Sequence, residues 1–341
     1  MNATSNLRPL QYSVWLGAAT FLATICQVSA ADNSQTPDIR RTIARSVPVI
    51  ERGEADWIAS KGCVSCHHTA FTVWSLSAAK QKGIQVNEAK LDEWRNLIAD
   101  WRNLLDPSVR AAAKREKIVP AHPDTVAQVL LARGPWHAEA GAPPWVMEYA
   151  NGLLAGQQTD GSWTPGGQLP LQKRPKRETQ EVTTMWAMSV VADSNLPNAS
   201  KAAALEKARS WLGDQTVGKS TEWWATRAML ERKLGSTAAV DRFQAELLKR
   251  QRADGGWGWI CEEESDAFGT GLALYAIGQT QLPNTNPAIV NARQFLARTQ
   301  GTDGSWPVHG TKENKKKGVE ATATFWGTCW AVIGLCETLG D

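Results

Sequence analysis

The sequence predicts an all-α protein that is built from pairs of helices. One phrase, Gln-x-x-Asp-Gly-x-Trp, occurs three times in the second half of the chain, at intervals of 94 and 49 residues. Each copy precedes a variable loop and an apolar helix with the pattern Thr-x-[Trp/Leu]-Ala, and no clear strand alternation appears. Because a repeat of nearly fifty residues can hold two helices, we expect stacked pairs that share one core. The first interval is close to twice the second, so a degenerate copy is expected between them, after Ala208–Leu212.

The phrase has a structural interpretation at every fixed position. Asp-Gly forms turns, because glycine accepts a positive φ and the aspartate side chain bonds nearby amides. The tryptophan can fold back on the preceding helix, where the glutamine can bond unpaired carbonyls. We therefore expect structural rather than catalytic roles for Gln157, Asp160, Trp163, Gln251, Asp254, Trp257, Gln300, Asp303 and Trp306.

Helical periodicity extends over most of the chain from Glu51 onward. Prolines at 107, 120, 123, 143 and 144 separate short helices in the first half. About a dozen helices are expected in all, and the clearest segments are 87–105, 202–212, 222–234, 240–250, 288–298 and 323–339.

Composition sets the broad class of the protein. The chain has 341 residues, a net charge of +3 and 43% hydrophobic residues, which suits one large or two small domains. Near-neutral charge gives no reason to expect nucleic acid as a partner. The basic clusters Lys173–Arg177 and Lys315–Lys317 are interpreted as solvated loops. Tryptophan is unusually frequent, with 17 residues against 6 phenylalanines and 3 tyrosines.

The N-terminus has the features of a secretory signal peptide. Arg8 precedes an apolar run, Val14–Val28, and small residues then offer cleavage after Ala30 or Ala31. The alternative is an uncleaved amphipathic anchor. We expect a signal peptide at 1–31, a polar mobile segment at 32–49 and one helical domain at 50–341. The mature protein would then be exported to the periplasm or cell envelope, with no transmembrane span.

The first repeat carries Cys63-Val-Ser-Cys66-His67 where the Asp-Gly turn belongs. This spacing is typical of c-type haem attachment, with two thioether bonds and His67 as the axial ligand of the iron. A short disulfide, a redox pair, and a zinc site with His67 or His68 remain alternatives. The sixth iron ligand is left open among His68, His122, His137 and Met147.

The repeat phrase and its Thr-x-x-Ala helix resemble the repeats of squalene–hopene and oxidosqualene cyclases and of protein prenyltransferase β subunits. The resemblance runs from about Glu51 to Leu339. It implies an α/α toroid, in which an inner and an outer ring of antiparallel helices surround a central apolar cavity. In the cyclases, aromatic rings lining that cavity stabilise carbocations.

The catalytic motifs of these families are only partly present. The acid segment Asp-x-Asp-Asp-Thr-Ala of the cyclases matches His122-Pro-Asp124-Thr125, with proline at the position of the proton donor. The zinc-binding Asp-x-Cys of the prenyltransferases matches Asp266-Ala-Phe268, which lacks the cysteine. Asp124 and Asp266 thus remain as weak catalytic candidates.

These observations favour an exported, non-cyclase toroid that binds an apolar, isoprenoid-like ligand and carries haem c or another redox or metal centre at Cys63, Cys66 and His67. A redox partner is expected if haem is bound. The alternatives are a divergent isoprenoid cyclase or transferase, a haem-dependent oxidoreductase, or a non-catalytic scaffold of the cell envelope. A cavity with a buried acid at its head would favour an enzyme, and a cavity filled by tryptophan would favour a scaffold.

Overall fold

A computed structural model describes residues 22–64, 68–134, 143–167, 169–213 and 217–340, with side chains in the first helix described from Ile39 onward. Within these ranges the chain is helical and forms only isolated β-bridges, which confirms the predicted all-α class. The α-helices are α1 Leu22–Lys61, α2 Thr69–Gln81, α3 Glu88–Ala99, α4 Arg115–Ala121, α5 Pro123–Ala132, α6 Pro144–Ala155, α7 Lys176–Asp193, α8 Asn198–Leu212, α9 Thr221–Lys233, α10 Thr237–Leu248, α11 Ala267–Gln279, α12 Pro287–Thr299 and α13 Ala321–Thr338.

Six of these helices form a closed inner ring. Helix α2 packs on α5, α5 on α7, α7 on α9, α9 on α11, α11 on α13, and α13 on α2. Outside this ring, α1 packs on α2 and α13, α6 on α5 and α7, α8 on α7, α10 on α9, and α12 on α11 and α13. Helices α3 and α4 flank α2 and α5. The architecture is therefore an α/α toroid of six helix pairs, and the expected degenerate repeat is the pair α8 and α9.

Local sequence explains how the inner helices begin and how closely they pack. The side chains of Ser220, Asp266 and Glu320 accept backbone N–H bonds at the starts of α9, α11 and α13, as helix caps do. Gly271 and Gly334 lie where α11 and α13 meet, and a Cβ on either would overlap with the backbone of the other helix. Glycine is thus required for this contact, which helps to close the ring.

The prediction of a mobile segment at 32–49 is wrong. These residues belong to α1, and Ile39, Ile43, Val47 and Ile50 are buried against the rest of the fold. Their spacing of three to four residues gives an apolar stripe, which α1 packs on α2, α12 and α13. The helical domain consequently starts before residue 50, since α1 is the outer helix that completes the ring.

The predicted signal peptide lies largely outside the described residues, which begin at Leu22. Between 22 and 31 the backbone is described as the first part of α1. Among the helices that the structure describes, none combines the length and apolar character needed to cross a bilayer.

Candidate functional site

The three tryptophan corners, residues 157–163, 251–257 and 300–306, share one hydrogen-bond pattern. Each indole Nε1 donates to the carbonyl of the leucine ten residues earlier, at distances of 2.7, 2.8 and 2.9 Å. Each tryptophan backbone N–H donates to the hydroxyl of the threonine in the following inner helix, which is Thr184, Thr270 or Thr328. The tryptophan therefore joins an outer helix to the next inner helix, and Trp163, Trp257 and Trp306 are all buried.

The other positions of the phrase join each corner to the next outer helix. The glutamine amide donates to a carbonyl of that helix at 2.8 Å, on Ala204, Ala288 or Thr42. The aspartate accepts the backbone N–H two residues later, and the glycine has φ between +90° and +98°. A Cβ on these glycines would overlap with the backbone of α8, α12 or α1. The geometry gives the phrase a role in joining neighbouring repeats, and Gln300 closes the ring by binding α1.

The first corner, residues 62–68, is built differently. Cys63 follows α1, is half-buried, and its carbonyl accepts the indole N–H of Trp57 at 2.8 Å. Burial raises the pKa of the Cys63 thiol. Cys66 and His67 lie outside the described residues, so the position of Cys66 relative to Cys63 is not described.

His68 lies between two aromatic rings directly beside this corner. Its imidazole stacks on Trp57 and on Phe325, with both centroid distances at 4.2 Å. Below it, the Glu54 carboxylate is fully buried, lies 4.0 Å from His68 Nδ1 and accepts the hydroxyl of Thr72. Burial raises the pKa of Glu54 to about 7. Thr72 is the threonine that matches those of the tryptophan corners, but here it binds an acid.

Aromatic side chains from facing helices meet at the centre of the inner ring, where the sequence predicts an apolar cavity. Trp186 on α7 stacks at 6.2 Å on Trp330 of α13, the helix on the opposite side of the ring. Trp74 and Tyr275 contact each other and Trp330 at centroid distances of 5.2 to 5.8 Å. We call these four residues the aromatic plug. The many tryptophans of the chain thus lie partly in this plug and partly in the corners.

A cavity of about 840 Å³ lies beside the plug, at the carboxyl ends of the inner helices. We call it the cup. Trp74, Tyr275 and Trp145 contribute aromatic rings to it. Among the described residues, its charged lining consists of Lys82, Arg95, Arg133, Lys233, Asp193 and Glu337. The described part of the cup is therefore amphipathic, and no sequence motif pointed to it.

The two acidic candidates lie elsewhere and are used in packing. Asp124 accepts the hydroxyl of Thr183 at 2.5 Å and the backbone N–H of Gly166 at 2.9 Å. Asp266 caps α11 and accepts two backbone N–H groups. Burial raises the pKa of both carboxyls to about 6. Neither lines the cup, and the two are not brought together with Cys63 as one site.

Two basic residues contradict the expectation of a solvated loop at Lys173–Arg177, since the side chain of Lys173 is 6% exposed and pairs with Glu263. Arg174 is 5% exposed and forms an ion pair with Glu222 at 2.7 Å. The other oxygen of Glu222 accepts the indole N–H of Trp186. A buried cation needs a partner acid, and the partner lies 48 residues away, which charge counting along the chain does not reveal.

The comparisons with known proteins support the architecture. No family model matches the chain. A 63-residue segment is 41% identical to cycloartenol synthase from Dictyostelium discoideum, and covers 18% of this chain but only 9% of that enzyme.

Solved structures of unsaturated glucuronyl hydrolases have a similar fold. The enzyme from Streptococcus agalactiae has a TM-score of 0.54 at 12% identity, over 90% of this chain and 93% of that chain. The enzyme from Bacillus sp. GL1 has a TM-score of 0.52 at 13% identity, over 89% of this chain and 95% of that chain. At such identities the likeness shows the fold alone. The chain is an α/α toroid with a short cyclase-like segment.

Proposed function

We propose that this chain is an exported α/α toroid of the periplasm or cell envelope that carries a c-type haem at the first corner. Thioether bonds would form at Cys63 and Cys66, and His67 would be the axial ligand. The observation that carries the proposal is the departure of this corner from the other three. It has cysteines where they have a turn, and Thr72 binds Glu54 where the matching threonines bind a tryptophan.

The described surroundings fit a flat apolar group. Cys63 is only half-buried, and the nearby stack of Trp57, His68 and Phe325 offers an aromatic surface. Burial raises the pKa of the Cys63 thiol, which opposes the free reactive thiolate of a redox cysteine pair. When bound, a haem would supply electron transfer or oxidation chemistry, and a redox partner would dock near this corner. The protein residues would shield one side of the group from water.

The filled ring favours this function over isoprenoid cyclisation. A cyclase needs a cavity for its hydrocarbon and an acid aimed into it. Here Trp186 and Trp330 meet across the ring, and the carboxyl of Asp124 is bonded to Thr183 and Gly166. A scaffold that uses the toroid only for interactions is the second candidate, and the aromatic plug is the observation that favours it. An apolar ligand in the centre would have to displace these rings.

The test is expression of the whole chain with its leader beside a haem-attachment system. We expect a Soret band that survives denaturation and acetone extraction, and an intact mass that shows loss of the leader and gain of one haem. Cys63→Ser should abolish two-bond attachment, whereas Cys261→Ser, at a half-buried cysteine outside the motif, should leave it unchanged. A wild-type protein without covalent haem would refute the proposal. Metal analysis and thiol titration would then separate zinc from a disulfide.

A further inference from the structure

Two short turns of opposite charge lie at the amino ends of the inner helices. The acidic turn, Glu262–Glu264, precedes α11, and the basic turn, Lys315–Lys317, precedes α13. All six side chains are exposed. Each turn connects a tryptophan corner to the inner helix that follows it, so both turns lie at the same end of the toroid. One surface of the molecule therefore carries a concentrated patch of each sign.

A short segment before α7 holds the two turns beside each other. Glu313 donates its backbone N–H to the carbonyl of Leu171, and Lys173 donates its backbone N–H to the carbonyl of Thr311. The ammonium group of Lys173 then pairs with Glu263 of the acidic turn. The segment thus contacts the hairpin that bears the basic turn on one side and the acidic turn on the other.

The fold neutralises only part of the charge in each turn. Lys173 compensates one acid of the acidic turn, and Glu313 pairs with Lys316 of the basic turn. Glu320 lies next to the basic turn, but its carboxylate caps α13. The described structure has no ion pair for two charged residues of each turn, namely Glu262, Glu264, Lys315 and Lys317. Each turn thus presents two uncompensated charges to the solvent.

Apolar side chains are exposed on the same end of the toroid. Leu171, in the segment that joins the turns, is 61% exposed, and so is Val319, which follows the basic turn. Val217, shortly before α9, is exposed as well. Val109 is the other large aliphatic residue with this exposure among the described residues. Most such side chains therefore precede inner helices, and apolar groups beside complementary charges are typical of protein interfaces.

We propose that the amino end of the toroid is the contact surface of a homodimer, in which the acidic turn of each copy meets the basic turn of the other. A twofold axis in this surface, between the turns, would form both contacts at once, because an isologous interface uses the same patch twice. Leu171 would lie near the axis and contribute apolar contact, which exposed ion pairs alone need for stable association. An anionic membrane fits this surface less well, since it would repel the acidic turn. None of these residues belongs to the first corner, so the inference does not depend on a haem.

Charge reversal tests the pairing in the whole mature protein. The acidic-turn variant is Glu262→Lys with Glu264→Lys, and the basic-turn variant is Lys315→Glu with Lys317→Glu. Each variant alone opposes like charges at both contacts, so its dimer should dissociate at least about tenfold more readily in sedimentation experiments. An equal mixture should form heterodimers within about threefold of wild-type affinity, because both contacts then pair opposite charges. This recovery would also show that both variants fold.

The control reverses the same amount of charge elsewhere. Lys114→Glu with Lys117→Glu changes two exposed lysines at the start of α4 and should leave dimerisation unchanged. Leu171→Ser should weaken the dimer by about threefold or more. Raising the ionic strength from about 0.05 to about 0.5 M should weaken the wild-type dimer, because it screens exposed charges.

Three results would overturn the proposal. The first is a wild-type protein that stays monomeric up to about 0.3 mM. The second is a mixture of the two variants that dimerises no better than either alone, or a control variant that loses as much affinity as they do. The third is a monomer that binds vesicles of phosphatidylcholine with phosphatidylglycerol but not vesicles of phosphatidylcholine alone, which would assign the surface to a membrane.

Discussion

Replacement of Gly304 by alanine tests whether the corners close the ring. Gly304 has φ of +92°, and a Cβ there would overlap with the backbone carbonyl of Arg45 on α1. An alanine in the left-handed region costs about 1–2 kcal/mol in backbone strain. Overpacking adds about 1–3 kcal/mol, because the carbonyl belongs to a helix and cannot turn away. Gly304→Ala should therefore lower the free energy of unfolding by about 2–5 kcal/mol.

Gly235 offers a matched control for the backbone term. It also has a positive φ, of +77°, but a Cβ there would have no neighbour within 4 Å. Gly235→Ala should cost only the strain of about 1–2 kcal/mol. The two free energies are measured by urea unfolding followed by tryptophan fluorescence and circular dichroism. If both variants lose the same stability within about 0.5 kcal/mol, the contact between the third corner and α1 does not hold the ring closed.

Three further predictions concern a buried carboxyl, the aromatic plug and a corner threonine. Burial raises the pKa of Glu54 from 4.5 to about 7, so its ionisation penalises the folded state, and the penalty grows as pH rises through that window. The stability of Glu54→Gln relative to wild type should rise by up to about 3 kcal/mol between those pH values in urea titrations, and a constant difference would contradict this. Trp330→Ala should cost about 3–5 kcal/mol and create an indole-binding cavity detectable by calorimetry, whereas a loss below about 1 kcal/mol would mean that the plug does not fill the ring. Thr270→Val should lower the free energy of unfolding by about 1–3 kcal/mol, because it leaves the buried N–H of Trp257 without its acceptor at 2.9 Å. Thr270→Ser keeps this hydrogen bond and should lose less stability in the same thermal and urea unfolding experiments. Equal losses in the two variants would refute the role of the threonine hydroxyl.

Periodicity and turn chemistry made the helix pairs predictable. The segments 202–212, 222–234 and 288–298 correspond to the helices Asn198–Leu212, Thr221–Lys233 and Pro287–Thr299. These signals are local, because an apolar stripe and a turn depend on residues close in sequence. The prediction for 32–49 was wrong because polar residues dilute its stripe of Ile39, Ile43 and Val47. Burial of that stripe depends on α12 and α13, which lie near the other end of the chain.

The site was less predictable, because its parts come from distant helices. Cys63 was found through a motif whose spacing is itself a chemical requirement. The cup was missed, since Arg95, Lys233 and Glu337 share no motif and meet only when the ring closes. The resemblance to cyclases implied a central cavity, yet the same tryptophans that suggested its lining fill it. Composition gives the number of aromatic side chains. Whether those side chains line the centre of the toroid or fill it depends on how helices on opposite sides pack.

The two ends of the toroid differ in charge for a reason that the fold itself supplies. Acids lie at the amino ends of inner helices, among them the buried Glu222 on α9 and Asp266, the N-terminal cap of α11. Cations lie at the carboxyl ends, where Lys82 and Lys233 line the cup. Both placements follow the helix dipole, so this asymmetry alone would arise in a protein that binds nothing.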